Sequence, residues 1–193
     1  RVGYRVVDEA DLDRLAASSH HEGVVADVLR SEPLSLDAWL QSLVPGAPTL
    51  AIWLDGVGNP HNFGAILRSA AHFGAAVLLS AGSGLALSGA AARVAEGGAE
   101  AVPLVRLPEA AALPRLRQAG FALAATVVRG GEDLFNGEPA QRLVYVTGAE
   151  GEGMDRALVE ACDRRLSIPG SGAVESLNVS AATAVFLAHW ASR

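Results

Sequence analysis

Lysine is missing from this 193-residue chain; its 15 basic side chains are all arginine, and 21 acidic residues leave a net charge of −6. Broad non-specific binding to nucleic acid depends on an extended basic surface that neutralises phosphates. The acidic balance argues against such a footprint, so any contact with a polyanion has to be local or come from parts outside this sequence. Cysteine occurs once, as Cys162. A single thiol excludes an intrachain disulfide framework and fits a reducing compartment such as the cytoplasm. Cysteine–histidine clusters with metal spacing are absent, so no metal is expected. Long apolar runs are lacking too. The most apolar window, Ala75 to Ala92, is broken by Ser80, Gly82, Ser83, Gly84, Ser88 and Gly89, which suits a globular strand and loop and not a membrane span. Charges between Arg1 and Ala10 stand where the apolar core of a signal peptide would be. The sequence opens on Arg1 without a methionine, as a fragment would.

What the chain does have is apolar content: half its residues are hydrophobic, ample for one main domain with a small appendage. The first 48 residues are more polar than the rest. They hold a helix-like patch at Glu9 to Ala17 and a short apolar run at Gly23 to Leu29. Pro33, Pro45, Gly46 and Pro48 make 31–48 read as a linker, with one helical turn around Asp37 to Leu43. From Thr49 onward, short apolar runs alternate with segments of helical period, the signature of an α/β domain with a mostly parallel sheet. Strands are expected at Leu50–Leu54, Ala76–Leu79, Ala101–Val105, Phe121–Val127, Leu143–Thr147 and Arg165–Ile168. Helices are expected at Phe63–Phe73, Gly89–Ala95, Glu109–Ala119, Asp155–Ala161 and Val179–Trp190. Periodicity alone predicts an unknotted doubly wound sheet, helices on both faces.

Three segments carry the chemistry. In Asn62-Phe63-Gly64-Ala65-Ile66-Leu67-Arg68, Asn62 is placed to cap a helix, and the helical wheel puts Arg68 on the face away from the core. In Gly148-Ala149-Glu150-Gly151-Glu152-Gly153 the glycines after a strand permit close backbone approach to a ligand; a plain tight turn would need one glycine, not three. In Leu177-Asn178-Val179-Ser180, behind Ile168-Pro169, Ser176 and Asn178 precede the last helix as good caps.

The three blocks, in this order and spacing, resemble the signature motifs of the SpoU (TrmH-like) family of RNA ribose 2′-O-methyltransferases, over roughly Thr49 to the end. The resemblance implies a deep C-terminal trefoil knot whose second and third motif loops cross to form the pocket for S-adenosylmethionine. It implies catalytic-site positions at Arg68, Asn62, Glu150, Ser176 and Asn178, with Glu150 able to anchor an arginine across a subunit interface. It implies cofactor contacts at Thr147, Gly148, Ala149, Gly151, Ile168, Pro169 and Leu177. One departure is Gly170, where relatives commonly have methionine after the proline. The stretch His20 to Ala26 is similar to one near the end of an N-terminal RNA-binding domain in some relatives, so 1–30 is expected to be its remnant and 49–193 the methyltransferase domain. RNA is then the expected partner, ribosomal RNA ahead of transfer RNA, and the functional unit a homodimer without metal. The alternative is a catalytically silent RNA-binding paralogue. Gly56-Val57-Gly58 after the first strand suggests a dinucleotide-binding oxidoreductase, but His61 occupies the third glycine position of that fingerprint and Pro60 interrupts it.

Overall fold

A computed structural model describes residues 3–19, 21–29, 32–149 and 153–193. The chain divides into two compact units, Arg1–Glu32 and Pro33–Arg193. In the first, helix α1 (Glu9–Ala16) is capped by Asp8, whose carboxylate accepts from the Asp11 amide.

The second unit follows the order β1 (Leu34–Ser35), α2 (Leu36–Ser42), β2 (Thr49–Asp55), α3 (Pro60–Phe73), β3 (Ala76–Leu79), α4 (Gly89–Ala95), α5 (Gly98–Ala101) and β4 (Leu104–Arg106). It continues through α6 (Ala112–Gln118), β5 (Ala122–Thr126), β6 (Glu132–Asp133), β7 (Arg142–Gly148), α7 (Arg156–Ala161), β8 (Arg164–Ser167) and α8 (Val179–Ala191). The strands form one sheet in the order β1-β4-β3-β2-β7-β5-β8-β6, every ladder parallel. The central pair is joined along its whole length, from Thr49 beside Arg142 to Asp55 beside Gly148.

Parallel sheets are covered on both faces, so their inner strands are apolar throughout. Strand β2 shows why. Leu50, Ile52 and Leu54 enter the core under α3, α4 and α8, while Ala51 and Trp53 enter a second core under α2 and α6. Helix α3 buries Phe63, Ile66, Leu67 and Ala70 against the first core, each large side chain contributing roughly 1.5–3 kcal/mol by leaving water. Gly74, at φ +68, ends it in the left-handed conformation that suits glycine.

Four expectations need correction. The segment read as a linker is part of the fold from Leu34 on: β1 pairs with β4, and α2 sinks Leu36 and Trp39 into the second core. Its prolines flank the helix instead of breaking it. The α3 cap is Asn59, not Asn62, because Pro60, with no amide to donate, takes the first helical position. The strand expected at Ala101–Val105 starts at Leu104; Pro103 has no ladder donor, and the residues before it turn as α5. Helix α6 starts at Ala112, since Pro114 is tolerated only in a first turn.

Candidate active site

A cavity of about 510 Å3 opens at the C-terminal ends of β5, β7 and β8, the place where open parallel sheets bind ligands. Thr126, Val127 and Val128 line it from the end of β5, and Thr147, Gly148 and Ala149 from the end of β7. Ile168 follows β8, Glu175 to Asn178 precede α8, and Val179, Ala182 and Phe186 close it from α8 itself. The walls are largely apolar with a polar rim of Thr147, Ser176 and Asn178. Leu177 is 47 % exposed and Val128 56 %, so the mouth presents apolar surface that a bound molecule would remove from water.

The loop after β7 is held by backbone contacts. Ala149 and Gly153 exchange amide-to-carbonyl hydrogen bonds of 3.2 and 3.1 Å, bringing Gly153 and Met154 against Gly148, where a Cβ would lie 2.4 Å from the Gly153 carbonyl carbon. Gly148 is therefore required by close approach. On the other side Gly56, at φ +77, leaves its neighbour Ala149 only 3.3 Å from where a Cβ would be. That is the use of the Gly56-Val57-Gly58 segment here: it admits the neighbouring loop. Asp55 adds a polar tie, its Oδ2 accepting from the Asp155 amide at 3.3 Å and its Oδ1 lying 3.2 Å from the Ser80 hydroxyl. Ser80 in turn accepts from the Trp53 indole N–H at 2.8 Å.

Asn178 joins the first and third motifs. Its Oδ1 accepts from the Ser180 amide at 2.9 Å and the Ser180 hydroxyl at 2.6 Å, capping α8, while its Nδ2 donates to Asn62 Oδ1 at 3.0 Å. Asn62 thus does not cap its own helix; its side chain ties α3 to the pocket wall. One turn and a half further along α3, Arg68 is exposed and pairs with Glu96 at 2.8 Å.

Of the positions singled out from sequence, Thr147, Gly148, Ala149, Ile168, Ser176, Leu177 and Asn178 line the cavity, and Asn62, Arg68 and Pro169 do not. Glu150 and Gly151 lie outside the described residues. Sequence reasoning missed Thr126 to Val128 and Phe186; the end of the β5 strand was the signal available, because ligands collect at the carboxyl ends of parallel strands. Two groups with raised pKa do not line the cavity, although Tyr145 packs against Phe186, which does. Burial, reinforced by the Asp163 charge, pushes the Cys162 thiol up to about 11. The Tyr145 hydroxyl is also raised by burial; it lies 3.4 Å from His189 Nδ1.

Residues 49–188 match the model of the SpoU rRNA Methylase family. The chain belongs to that family. Among curated SpoU relatives, the 23S rRNA (guanosine-2′-O-)-methyltransferase RlmB of Ralstonia nicotianae is 40 % identical over 191 residues, 96 % of this chain and 76 % of the relative. YfiF of Escherichia coli O157:H7, described as an uncharacterized tRNA/rRNA methyltransferase, is 37 % identical over 191 residues, 98 % of this chain and 55 % of the relative. The chain therefore spans only about half the length of YfiF. Among solved structures, the AdoMet-bound rRNA methyltransferase from Sinorhizobium meliloti superposes with a TM-score of 0.72 at 26 % identity, over 83 % of this chain and 60 % of that one.

Proposed function

We propose that the chain transfers the methyl group of S-adenosylmethionine to a ribose 2′-hydroxyl of RNA, with ribosomal RNA favoured over transfer RNA. The observation that carries this reading is the Asn62–Asn178 hydrogen bond of 3.0 Å. It fixes the helix bearing Arg68 to the wall of a cavity of a size usual for small-molecule sites. The proposed substrate side and the proposed cofactor side are thus joined by a direct hydrogen bond.

The cavity suits the cofactor. Ile168, Leu177 and Val128 offer apolar walls to an adenine ring, and the backbone of Thr147 to Ala149 borders the space. The Ser176 hydroxyl is the group to hold the cofactor's ribose hydroxyls. Bound S-adenosylmethionine supplies an already activated sulfonium methyl, so neither a metal nor a covalent enzyme intermediate is needed. The ribose O2′ gains the methyl carbon and loses its proton, and S-adenosylhomocysteine remains.

The protein's share is alignment and exclusion of water. Guanidinium has no acceptor and holds its protons tightly. Arg68 therefore serves to orient the ribose or its phosphate and to stabilise charge developing on O2′, with a phosphate or water as proton acceptor. Glu150 is assigned to the same site by the family pattern. The family's trefoil knot, homodimer and cytoplasmic location are carried as parts of this proposal, as is the assignment of 1–30 to an RNA-binding remnant.

The test is calorimetric titration with S-adenosylmethionine and S-adenosylhomocysteine, followed by tritiated-methyl transfer to undermethylated total RNA, on wild type and Arg68→Ala. Wild type should bind and transfer; Arg68→Ala should bind the cofactor within about twofold of wild type and lose transfer on the order of a hundredfold. Binding without transfer in wild type would point to the silent paralogue, and an Arg68→Ala variant of full activity would remove Arg68 from the mechanism.

A further inference from the structure

We infer that Glu96 is a positioning residue for Arg68: its carboxylate, paired with the guanidinium at Nη1, restricts the directions in which the fork can meet the RNA. The inference rests on the proposed role of Arg68 and deepens it. Glu96 Oε1 lies 2.8 Å from Arg68 Nη1, both side chains being about 60 % exposed. Exposed pairs of this kind add little to stability, so a change at Glu96 can be read without a large stability effect.

The backbone beneath the pair is unusually constrained. Helix α4 lies so close to α3 that a Cβ on Gly64 would come within 2.5 Å of the Ala91 carbonyl oxygen. One turn along α3, a Cβ on Gly98 would lie 2.9 Å from Arg68 Cα and from the Leu67 carbonyl oxygen. The segment from Ala91 to Gly98 is thus clamped to α3 at two points, Gly64 and Arg68, spaced i and i+4. Glu96 rides on the clamped segment, and its amide closes α4 onto the Ala92 carbonyl at 3.2 Å.

Glu96 also has the wrong backbone for its residue type. It sits at φ 45 and ψ 54, left-handed, at a helix end where glycine or asparagine is the easy choice. Two glycines follow directly, one of them, Gly97, also at positive φ. Ala17, Glu22 and Ala111 share the positive φ, but Glu96 alone of the four pairs with Arg68. Here the strain puts a carboxylate where it reaches Arg68. The closest approach is at Nη1, at one end of the fork. The planar fork of arginine makes its orientation worth fixing, because a phosphate or ribose oxygen engages it in a defined plane.

The test compares wild type, Glu96→Gln, Glu96→Gly and Glu96→Asp of the whole chain by methyl transfer on undermethylated RNA, S-adenosylhomocysteine titration and thermal melting. For Gln and Gly, kcat should fall about tenfold with the RNA KM unraised, since a negative charge has been removed. Cofactor affinity should stay within about twofold of wild type. The melting temperature should hold in Glu96→Gln and rise in Glu96→Gly, where strain is relieved; a purely structural Glu96 would give the reverse. Glu96→Asp, which restores the charge at shorter reach, should recover part of kcat. An unchanged or increased kcat in Glu96→Gln overturns the inference. If wild type transfers no methyl, the functional reading fails, yet the pair is still tested by nitrogen-15 NMR of the arginine side chains. Separate, slowly exchanging Arg68 Nη signals that merge in Glu96→Gln support it, and merged signals in wild type overturn it.

Discussion

Replacing Gly148 by alanine adds one methyl group at the tightest point of the candidate site. That carbon would stand 2.4 Å from the Gly153 carbonyl carbon, 2.5 Å from the Met154 nitrogen and 2.6 Å from the Gly153 oxygen. Carbon atoms rest about 3.5–4.0 Å apart, so the loop would have to withdraw by about 1 Å. Every obstructing atom is backbone, and none can rotate away. Withdrawal would break the paired Ala149–Gly153 hydrogen bonds and pull the Asp155 amide from Asp55. Overpacking of this kind costs about 1–3 kcal/mol. In a domain of this size each kcal/mol moves the melting temperature by about 2–4 °C, so Gly148→Ala should melt roughly 2–12 °C below wild type. The displaced loop is also a wall of the cavity, and affinity for S-adenosylhomocysteine should fall at least about tenfold. Differential scanning calorimetry and isothermal titration read the two effects. A variant that melts within about 1 °C of wild type and binds equally well would refute the close-approach account of Gly148.

Leu177→Asp places a carboxylate on the apolar rim of the cavity. Because the leucine is nearly half exposed, folding should change by no more than about 0.5 kcal/mol while cofactor affinity drops; unchanged affinity by calorimetry would detach Leu177 from the pocket's function. Cys162 gives a pH dependence. Its folded value of about 11 lies above the ordinary 9.0, so between those values the folded chain keeps a proton that the unfolded chain has lost. Stability should therefore be fully present below pH 9 and decline as pH rises towards 11. Alkaline denaturation profiles of wild type and Cys162→Ala should diverge only in that window, and parallel curves would show the thiol to be unperturbed.

Local signals were legible and long-range ones were not. Helix α3 could be read from its apolar spacing and its terminal Gly74, and the apolar runs of β2, β3 and β7 marked them as buried parallel strands. Strands β1 and β6 have two residues each and exist only because a neighbour is there to pair with. Helix α2 looks like one turn in a linker, since seven residues show too little period to reveal that Trp39 and Leu36 will meet a sheet face. The same holds at the site. The glycines of the second motif announce a close approach, but that Asn62 gives its side chain to Asn178 and not to its own helix end depends on a contact 116 residues away. Glu96 carried no sequence signal at all. Its meaning lies in a backbone conformation and a packing contact that only the assembled helices produce.

The full-length pairing of β2 with β7 has a consequence for how the chain is made. Positions 49 and 142 are neighbours in the centre of the sheet but 93 residues apart in sequence. At synthesis rates of 5–20 residues per second, β2 waits roughly 5–20 s for its second partner to be translated. During that time it can pair only with β3, and its other edge is an open, apolar template for the wrong strand. Closing so long a loop before its contacts are gained also slows the final step. Strands β5, β7 and β8, which build the cavity, leave the ribosome after β2, β3 and β4, so a binding-competent site forms only after the first half of the sheet has been made.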